Sequence, residues 1–389
     1  MAQEKTLASE ASIRKLRLAV EVNWSQKEGG ARRVASCLVR ELAKREDIDV
    51  CVFMNAQNRL FQDGTADCRI LYRPWLIPQV IWDQFVFPHL VLPRALKRHQ
   101  PDITLFTNNL MSVREPKPAV VILHDLTPFI IPETYRWVHG LYQRWYFRRA
   151  ASRAAHIITV SERSKNDITR VLGVPSRRIS VVRLGAELLQ AEPQALAATP
   201  HEWGVRDHPF ILYAGAQHPR KNIDRLLRAF IRLKEQAAIP HRLLIVGAAR
   251  WKQTGAVGQA KAGPYGRDIV QAGRVSDSML AQLYRSCAVF VYPSLYEGFG
   301  LPVLEAMSMG APVVTSQSSS MAEITGDAAI LVDPLDVQNI ADGIASVLQN
   351  RELADALRAK GLKRAKEYTW DEAASVVCDV IQSQVGEVM

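Results

Sequence analysis

The sequence predicts an α/β protein of two doubly wound domains, each built on a parallel sheet. Three observations carry that prediction. At 389 residues the chain is too long for one ordinary hydrophobic core, so two domains are the default. Apolar, strand-like runs alternate with amphipathic helical runs along both halves, which is the pattern of parallel sheets. A unit of strand, glycine-rich loop, helix and strand stands out at "VYPSLYEGFGLPVLEAMSMGAPVVTS", Val291 to Ser316.

The opening residues mix acids and bases and lack the apolar run of a signal peptide, so residues 1–12 are expected to form a disordered tail. The first domain is expected over residues 13–186. It begins with a strand at Leu16 to Val22, a loop holding Gly29 and Gly30, a helix "ARRVASCLVRELAKR" and a strand "DVCVFM". The most apolar region, "WLIPQVIWDQFVFPHLVLPRAL" (Trp75 to Leu96), contains three prolines, an Asp and two Gln. It is therefore expected to form loops and a short helix, not a membrane span. Further strands are expected at "ITLFT", "AVVILHD", "HIITVS" and "ISVVRLG", with Ser161 capping the helix "ERSKNDITRVLG".

Between Gly185 and His208 the text turns to Ala, Gln, Pro and Glu, which places an inter-domain connection at 187–208. The second domain, 209–366, opens with a strand at Phe210 to Gly215, the loop "AQHPRKN", the helix "IDRLLRAFIRLKEQ" and the strand "HRLLIVG". Ala288 to Tyr292 reads as a buried strand and Glu297 to Gly300 as loop. Pro302 suits the first turn of a helix that runs to Met309, and Gly310 suits its stop. A last helix within 367–389 starts from a capping-box pattern, Thr369 and Glu372, and is expected to pack back toward the first domain.

Composition narrows the partners. The cysteines Cys37, Cys51, Cys68, Cys287 and Cys378 are scattered, odd in number and without metal-site spacing. That spacing predicts a reducing, cytoplasmic setting and no metal. A net charge of +10 suits an anionic partner. Part of the excess lies in "TYRWVHGLYQRWYFRRAASR", where Arg136, Arg144, Arg148, Arg149 and Arg153 occur with Trp and Tyr and no acid. Two readings stay open for it: a solvated helix face, or a helix resting on anionic lipid. No helix-turn-helix, zinc-finger or RNP-like context accompanies the basic residues, so no nucleic-acid partner is expected.

The chemistry is expected at strand ends, where parallel α/β sheets bind ligands. Arg220 and Lys221 follow the strand ending at Gly215; a guanidinium and an ammonium side by side suit a diphosphate, or form a solvated basic loop. The loop Gly298-Phe299-Gly300-Leu301 opens a helix, whose free amides suit phosphate. Glu305 then suits two ribose hydroxyls and Glu297 a sugar hydroxyl. The alternatives are a helix-dipole stabiliser and a solvated loop acid, and spacing alone does not separate them. His124 reads equally as a strand-end histidine or as a group beside the substrate.

"YEGFGLPVLEAMSMGAPVVTS" resembles the glutamate–seven residues–glutamate signature of retaining glycosyltransferase family 4, and the likeness runs through most of the chain. "GGARRVASCLVREL", "ITVSERSKNDITRVLGVPSRRISVV", "YAGAQHPRKNIDRLLRAF", "AGRVSDSMLAQLYRSCAVFVYPS" and "YTWDEAA" resemble its other landmarks in order. Arg32 stands where that family often has a second glycine, and "RLGAE" at Arg183 to Glu187 replaces its usual hinge.

The resemblance implies a GT-B fold with two Rossmann-like domains facing across a cleft. It implies that Glu297 contacts the donor sugar, Glu305 binds ribose, and Arg220 and Lys221 stabilise a departing diphosphate. Gly298 to Leu301 would meet sugar and phosphate, Gly29 and Gly30 would close on the phosphates, His124 would lie beside the sugar, and Gly273, Arg274 and Val275 would border the base. The implied reaction moves a hexose, with mannose favoured by "LHDLTPFIIPE", from a GDP- or UDP-linked donor to a glycan or lipid-linked glycan in polysaccharide or glycolipid synthesis. No metal or other cofactor is expected, and the enzyme would be cytoplasmic or peripheral on the inner membrane face. A sugar-nucleotide epimerase of the same fold, a synthase with a soluble acceptor and a basic binding protein without catalysis are the alternatives.

Overall fold

Every strand pairing described is parallel, and the strands form two sheets flanked by helices. The computed structural model describes residues 14–22, 30–55, 66–74, 76–112, 114, 118–186, 201–248 and 255–386. The expected tail, Gly29 and residues 187–200 of the expected connection lie outside the described residues. The chain divides into two compact units, residues 1–122 with 378–389, and residues 123–377.

The first stretch runs β1 (Leu16–Val22), α1 (Gly30–Ala43), β2 (Ile48–Met54), β3 (Asp67–Ile70), α2 (Gln79–Ile81), a π-helical segment (Trp82–Val91), α3 (Leu92–His99), β4 (Ile103–Phe106) and β5 (Ala119–Ile122). It continues with α4 (Thr127–Ile130), α5 (Trp137–Arg153), β6 (His156–Thr159), α6 (Glu162–Leu172) and β7 (Ile179–Val181). The seven strands are ordered β3-β2-β1-β4-β5-β6-β7. Leu18, Ala19, Val20 and Val52 are fully or almost fully buried on the central strands, as expected for strands covered on both faces.

The second sheet takes β8 (Phe210–Ala214), α7 (Ile223–Ala237), β9 (Arg242–Val246), α8 (Ala256–Ala262), β10 (Ile269–Gly273), α9 (Asp277–Ser286) and β11 (Val289–Tyr292). It ends with α10 (Leu301–Ser308), β12 (Val313–Ser316), α11 (Met321–Thr325), β13 (Ile330–Val332), α12 (Val337–Gln349), α13 (Arg351–Ala365) and α14 (Trp370–Gly386). The order is β10-β9-β8-β11-β12-β13. Strand order therefore reverses between β8 and β11, and such a switch point is where open α/β sheets bind ligands.

Two local features differ from the sequence expectation. The region from Trp75 is more helical than the expected loops and short helix: α2, the π segment and α3 run on from Gln79 to His99. Pro88 lies inside the π segment, and at its end the Leu92 N–H bonds the Phe87 carbonyl five residues back. The wider ladder absorbs a proline that an α-helix would not. Strands β3, β10 and β13 were not foreseen. β3 alternates exposed with half-buried residues, β10 carries Gln271 and Gly273, and β13 is only three residues long. Among the described residues no helix is long and apolar enough to cross a membrane.

Candidate active site

The loops leaving β8 and β11 carry the site. After β8, His218 begins a tight turn at Pro219–Lys221, and its ring Nδ1 accepts from the Arg220 N–H at 3.4 Å. Asn222 ends the turn in the left-handed region (φ 61°), a conformation Asn tolerates better than most residues. Its side-chain amide donates to the carbonyls of Pro293 (2.9 Å) and Pro334 (2.6 Å), tying the turn to the loop after β11. The Leu295 N–H and the Ser294 hydroxyl both donate to the Arg220 carbonyl, at 2.8 and 3.0 Å.

Glu297 is the centre of this junction. One carboxylate oxygen takes Arg220 Nη1 at 2.6 Å; the other takes Lys221 Nζ in a short contact, the Ser294 hydroxyl at 2.6 Å and the Tyr292 hydroxyl at 3.2 Å. Arg220 Nη1 also donates to the Tyr296 carbonyl at 3.0 Å. Lys221 donates to the Tyr292 hydroxyl as well and lies 4.9 Å from the centre of that ring, whose face favours a cation. Side-chain exposures of 21% for Arg220, 11% for Lys221 and 8% for Glu297 leave the guanidinium the most open of the three.

Electrostatics follow from that packing. Burial raises the pKa of Glu297, but Arg220, Lys221 and their hydrogen bonds outweigh it and bring the value down to about 2. Glu297 is thus an anion at any ordinary pH. Lys221 is lowered to about 8, by burial first and by the Arg220 charge second, with Glu297 opposing. Arg220 is raised: burial opposes its charge, but Glu297 and then Asp125 outweigh it.

Around this cluster the loop 296–300 is tightly held. The Tyr296 hydroxyl donates to Asp167 at 3.0 Å, and Asp167 is paired with Arg163 and Arg170. Ser161, the N-cap of α6 as expected, accepts from the Ser164 N–H and donates to the Gly298 carbonyl at 2.7 Å. Ser319 accepts from the Glu297 N–H at 3.1 Å, while Ser320 donates to the carbonyls of Glu297 and Phe299. A Cβ at Gly298 would overlap the His124 carbonyl, so only glycine admits this approach. Gly300 (φ 121°) caps α10, with Leu301 and Pro302 in the first turn and Gly310 (φ 75°) just past its end.

The structure therefore joins Arg220, Lys221 and Glu297 directly, and brings Gly298 to His124 through the main chain. Glu305 is buried within α10, where the Tyr284 hydroxyl donates to it at 3.4 Å. Phe299 is buried, its ring edge-on to Tyr368. Arg274 is exposed and Val275 half-buried just after β10, two strands from β8 in the sheet order. Gly30 begins α1 in the other unit. Sequence reasoning missed Tyr292, Ser294, Tyr296, Asp125, Asp167, Ser319 and Ser320. The one available signal was Ser294, a hydroxyl three residues before Glu297 at a strand end.

Two parallel doubly wound sheets, the second with its charged residues gathered at the switch point, make up the GT-B architecture of glycosyltransferases. Similarity to known proteins agrees. Residues 28–188 match the model of Glycosyltransferase Family 4, and residues 200–364 that of Glycosyl transferases group 1. The O-antigen chain mannosyltransferase B of Escherichia coli is 33% identical over 259 residues, 66% of this chain and 68% of that protein. The MMP alpha-(1->4)-mannosyltransferase of Mycolicibacterium hassiacum is 30% identical over 262 residues, 65% of this chain and 61% of its own. The structure of Anabaena Alr3699/HepE in complex with UDP and glucose superposes with a TM-score of 0.74 at 17% identity, covering 95% of this chain and 100% of that one. The chain belongs to the family 4 glycosyltransferases, and it is a sugar-transferring enzyme.

Proposed function

We propose that this enzyme moves a hexose, mannose as first candidate, from a nucleotide diphosphate to a hydroxyl of a glycan or lipid-linked glycan, with retention at the anomeric carbon. The observation that carries the reading is the buried Arg220–Glu297–Lys221 cluster at the switch point of the second sheet. Mannose is supported by the names of the two relatives, and the nucleotide donor by the UDP bound to the Anabaena structure.

In this reading the diphosphate meets Arg220, Lys221 and the amides of Gly298 to Leu301. Glu305 takes the ribose hydroxyls, and Arg274 and Val275 border the base. The bond from the anomeric carbon to the phosphate oxygen breaks, and its electron pair leaves with the diphosphate. Charges held in place beforehand at the leaving oxygen are the largest catalytic term. Glu297, kept ionised by its two cations, stabilises positive charge on the sugar ring, with His124 beside it. The acceptor oxygen bonds the anomeric carbon and gives its proton to a phosphate oxygen. Two fixed cations do the work often given to a metal, so the reading needs none. A nucleotide donor and a lipid-linked acceptor would both be met at the cytoplasmic face of a membrane, which supports a peripheral position there.

The test is transfer from GDP-mannose, and from UDP- and other GDP-sugars in parallel, to a lipid-linked glycan with and without a chelator. Product anomeric configuration is read by NMR. Arg220→Ala and Lys221→Ala should each lower kcat by ~10²-fold or more, the scale for losing one preorganised charge. Near-normal turnover in both variants overturns the assignment. Conversion of the donor sugar with no acceptor present identifies an epimerase instead.

A further inference from the structure

Helix α5 wears its apolar residues outward. Trp137 is 76% exposed, Val138 59%, Leu141 49% and Trp145 53%, while Tyr146 and Ala150 on its opposite side are buried. Residues 137, 141 and 145 fall one helical turn apart, so both indoles and the leucine share one face. Arg144 and Arg148 occupy that same sector, and Arg136 precedes the helix. No acid lies between Trp137 and Arg153; the nearest upstream is Glu133. A soluble helix ordinarily turns such residues to the core, and a contiguous exposed apolar face marks a binding surface.

We propose that this face of α5 docks on an anionic lipid surface, where Trp137, Leu141 and Trp145 enter the headgroup boundary and Arg136, Arg144 and Arg148 meet lipid phosphates. The charge selects this occupant. A second copy of the chain would bring like-charged arginines against one another, whereas an anionic leaflet complements them, by about fivefold in partitioning for each arginine near the surface. Tryptophan is the side chain best suited to the interface itself. The helix starts beside the donor site: the Tyr135 ring lies 6.1 Å from that of His218, which caps the turn carrying Arg220 and Lys221. An acceptor anchored in the docked leaflet is therefore delivered at that turn. This step rests on the transfer reaction proposed above and names where its acceptor comes from.

The experiment is co-flotation of the full chain with vesicles of phosphatidylcholine alone or with about one third phosphatidylglycerol, alongside a fluorescence scan of the tryptophans. Binding to the anionic vesicles only, weakened by salt and accompanied by a blue shift, is expected. The triple change Trp137→Ala, Leu141→Ala and Trp145→Ala should lower partitioning by ~10³-fold, since each buried apolar side chain contributes roughly tenfold or more. Arg144→Glu with Arg148→Glu should abolish the preference for anionic lipid. Both variants should keep the wild-type affinity for the donor nucleotide, which shows that they fold and separates this test from that of the reaction. Equal binding to neutral vesicles, no binding to either, or an α5-dependent dimer in sedimentation without vesicle binding overturns the proposal.

Discussion

The carboxylate of Glu297 takes Arg220 on one oxygen and Lys221 on the other, while Tyr292 and Ser294 complete its shell. In the proposed reaction a diphosphate competes for cations that already have a partner, so binding would rearrange charge instead of filling an empty nest. Lys221 makes this visible in pH. Its pKa of about 8 in the free protein is lowered by burial and by Arg220, and the negative charge of a bound diphosphate pulls it back up. Binding then takes up a proton, and affinity falls as pH rises above about 8, by up to tenfold per unit until the bound-state value is reached. Calorimetry from about pH 7 to 9 in two buffers of different ionisation enthalpy reads both effects, and Lys221→Ala should flatten the profile. The identities of Arg220, Lys221 and Glu297 were legible in the sequence because charged residues at strand ends stand out. Their mutual pairing was not, since it depends on how two loops 76 residues apart meet. The tyrosines and serines were hidden because a hydroxyl in a buried strand looks like any core residue until its partner is known.

At the scale of elements, the loop before α10 is fixed from outside. Ser161 holds the Gly298 carbonyl, Ser320 holds those of Glu297 and Phe299, and Tyr296 is moored to Asp167 on α6. Glu323 on α11 adds its carboxylate to the N-terminal amides of α6 at Glu162 and Arg163, where a helix favours negative charge. Gly298→Ala puts a methyl group into the His124 carbonyl, a backbone atom that cannot step aside as a side chain can. The overlap should cost about 1–3 kcal/mol. Displacement of the loop should lower kcat/KM by ~10-fold or more; differential scanning calorimetry and steady-state kinetics check the two effects. The sequence announced α10 well, through Pro302 and Gly310, and the Ser161 cap equally well. It concealed the helical run from Gln79 to His99, because proline argues against helix and only a π ladder reconciles the two.

For the whole molecule, the fold was legible in outline because parallel strands buried on both faces leave long apolar runs at β8, β9 and β11. The edge strand β3, with Asp67 and Arg69 in its four residues, leaves no such trace, so the width of its sheet had to come from the structure. A ligand that binds only the folded state adds about 2.7 kcal/mol of stability at a hundredfold excess over Kd. For a unit of 123–377 that corresponds to a rise of about 5–10 °C in Tm. GDP and UDP compared by thermal shift should give such a rise for one nucleotide and much less for the other, and Arg220→Ala should remove it. Equal responses to both would mean that the base is not read.

None of the five cysteines is in a disulfide, and their settings differ. Burial, with Asp67 adding to it at Cys51, pushes the thiols of Cys51 and Cys287 up to about 12, and burial raises Cys378 as well. Cys37 is enclosed in α1, and Cys68 alone is partly open to water. Because Cys68 is the one thiol not fully covered, a maleimide at neutral pH should label it first. The native chain thus carries its own attachment point for a fluorophore or spin label, on the outermost strand of the seven-stranded sheet.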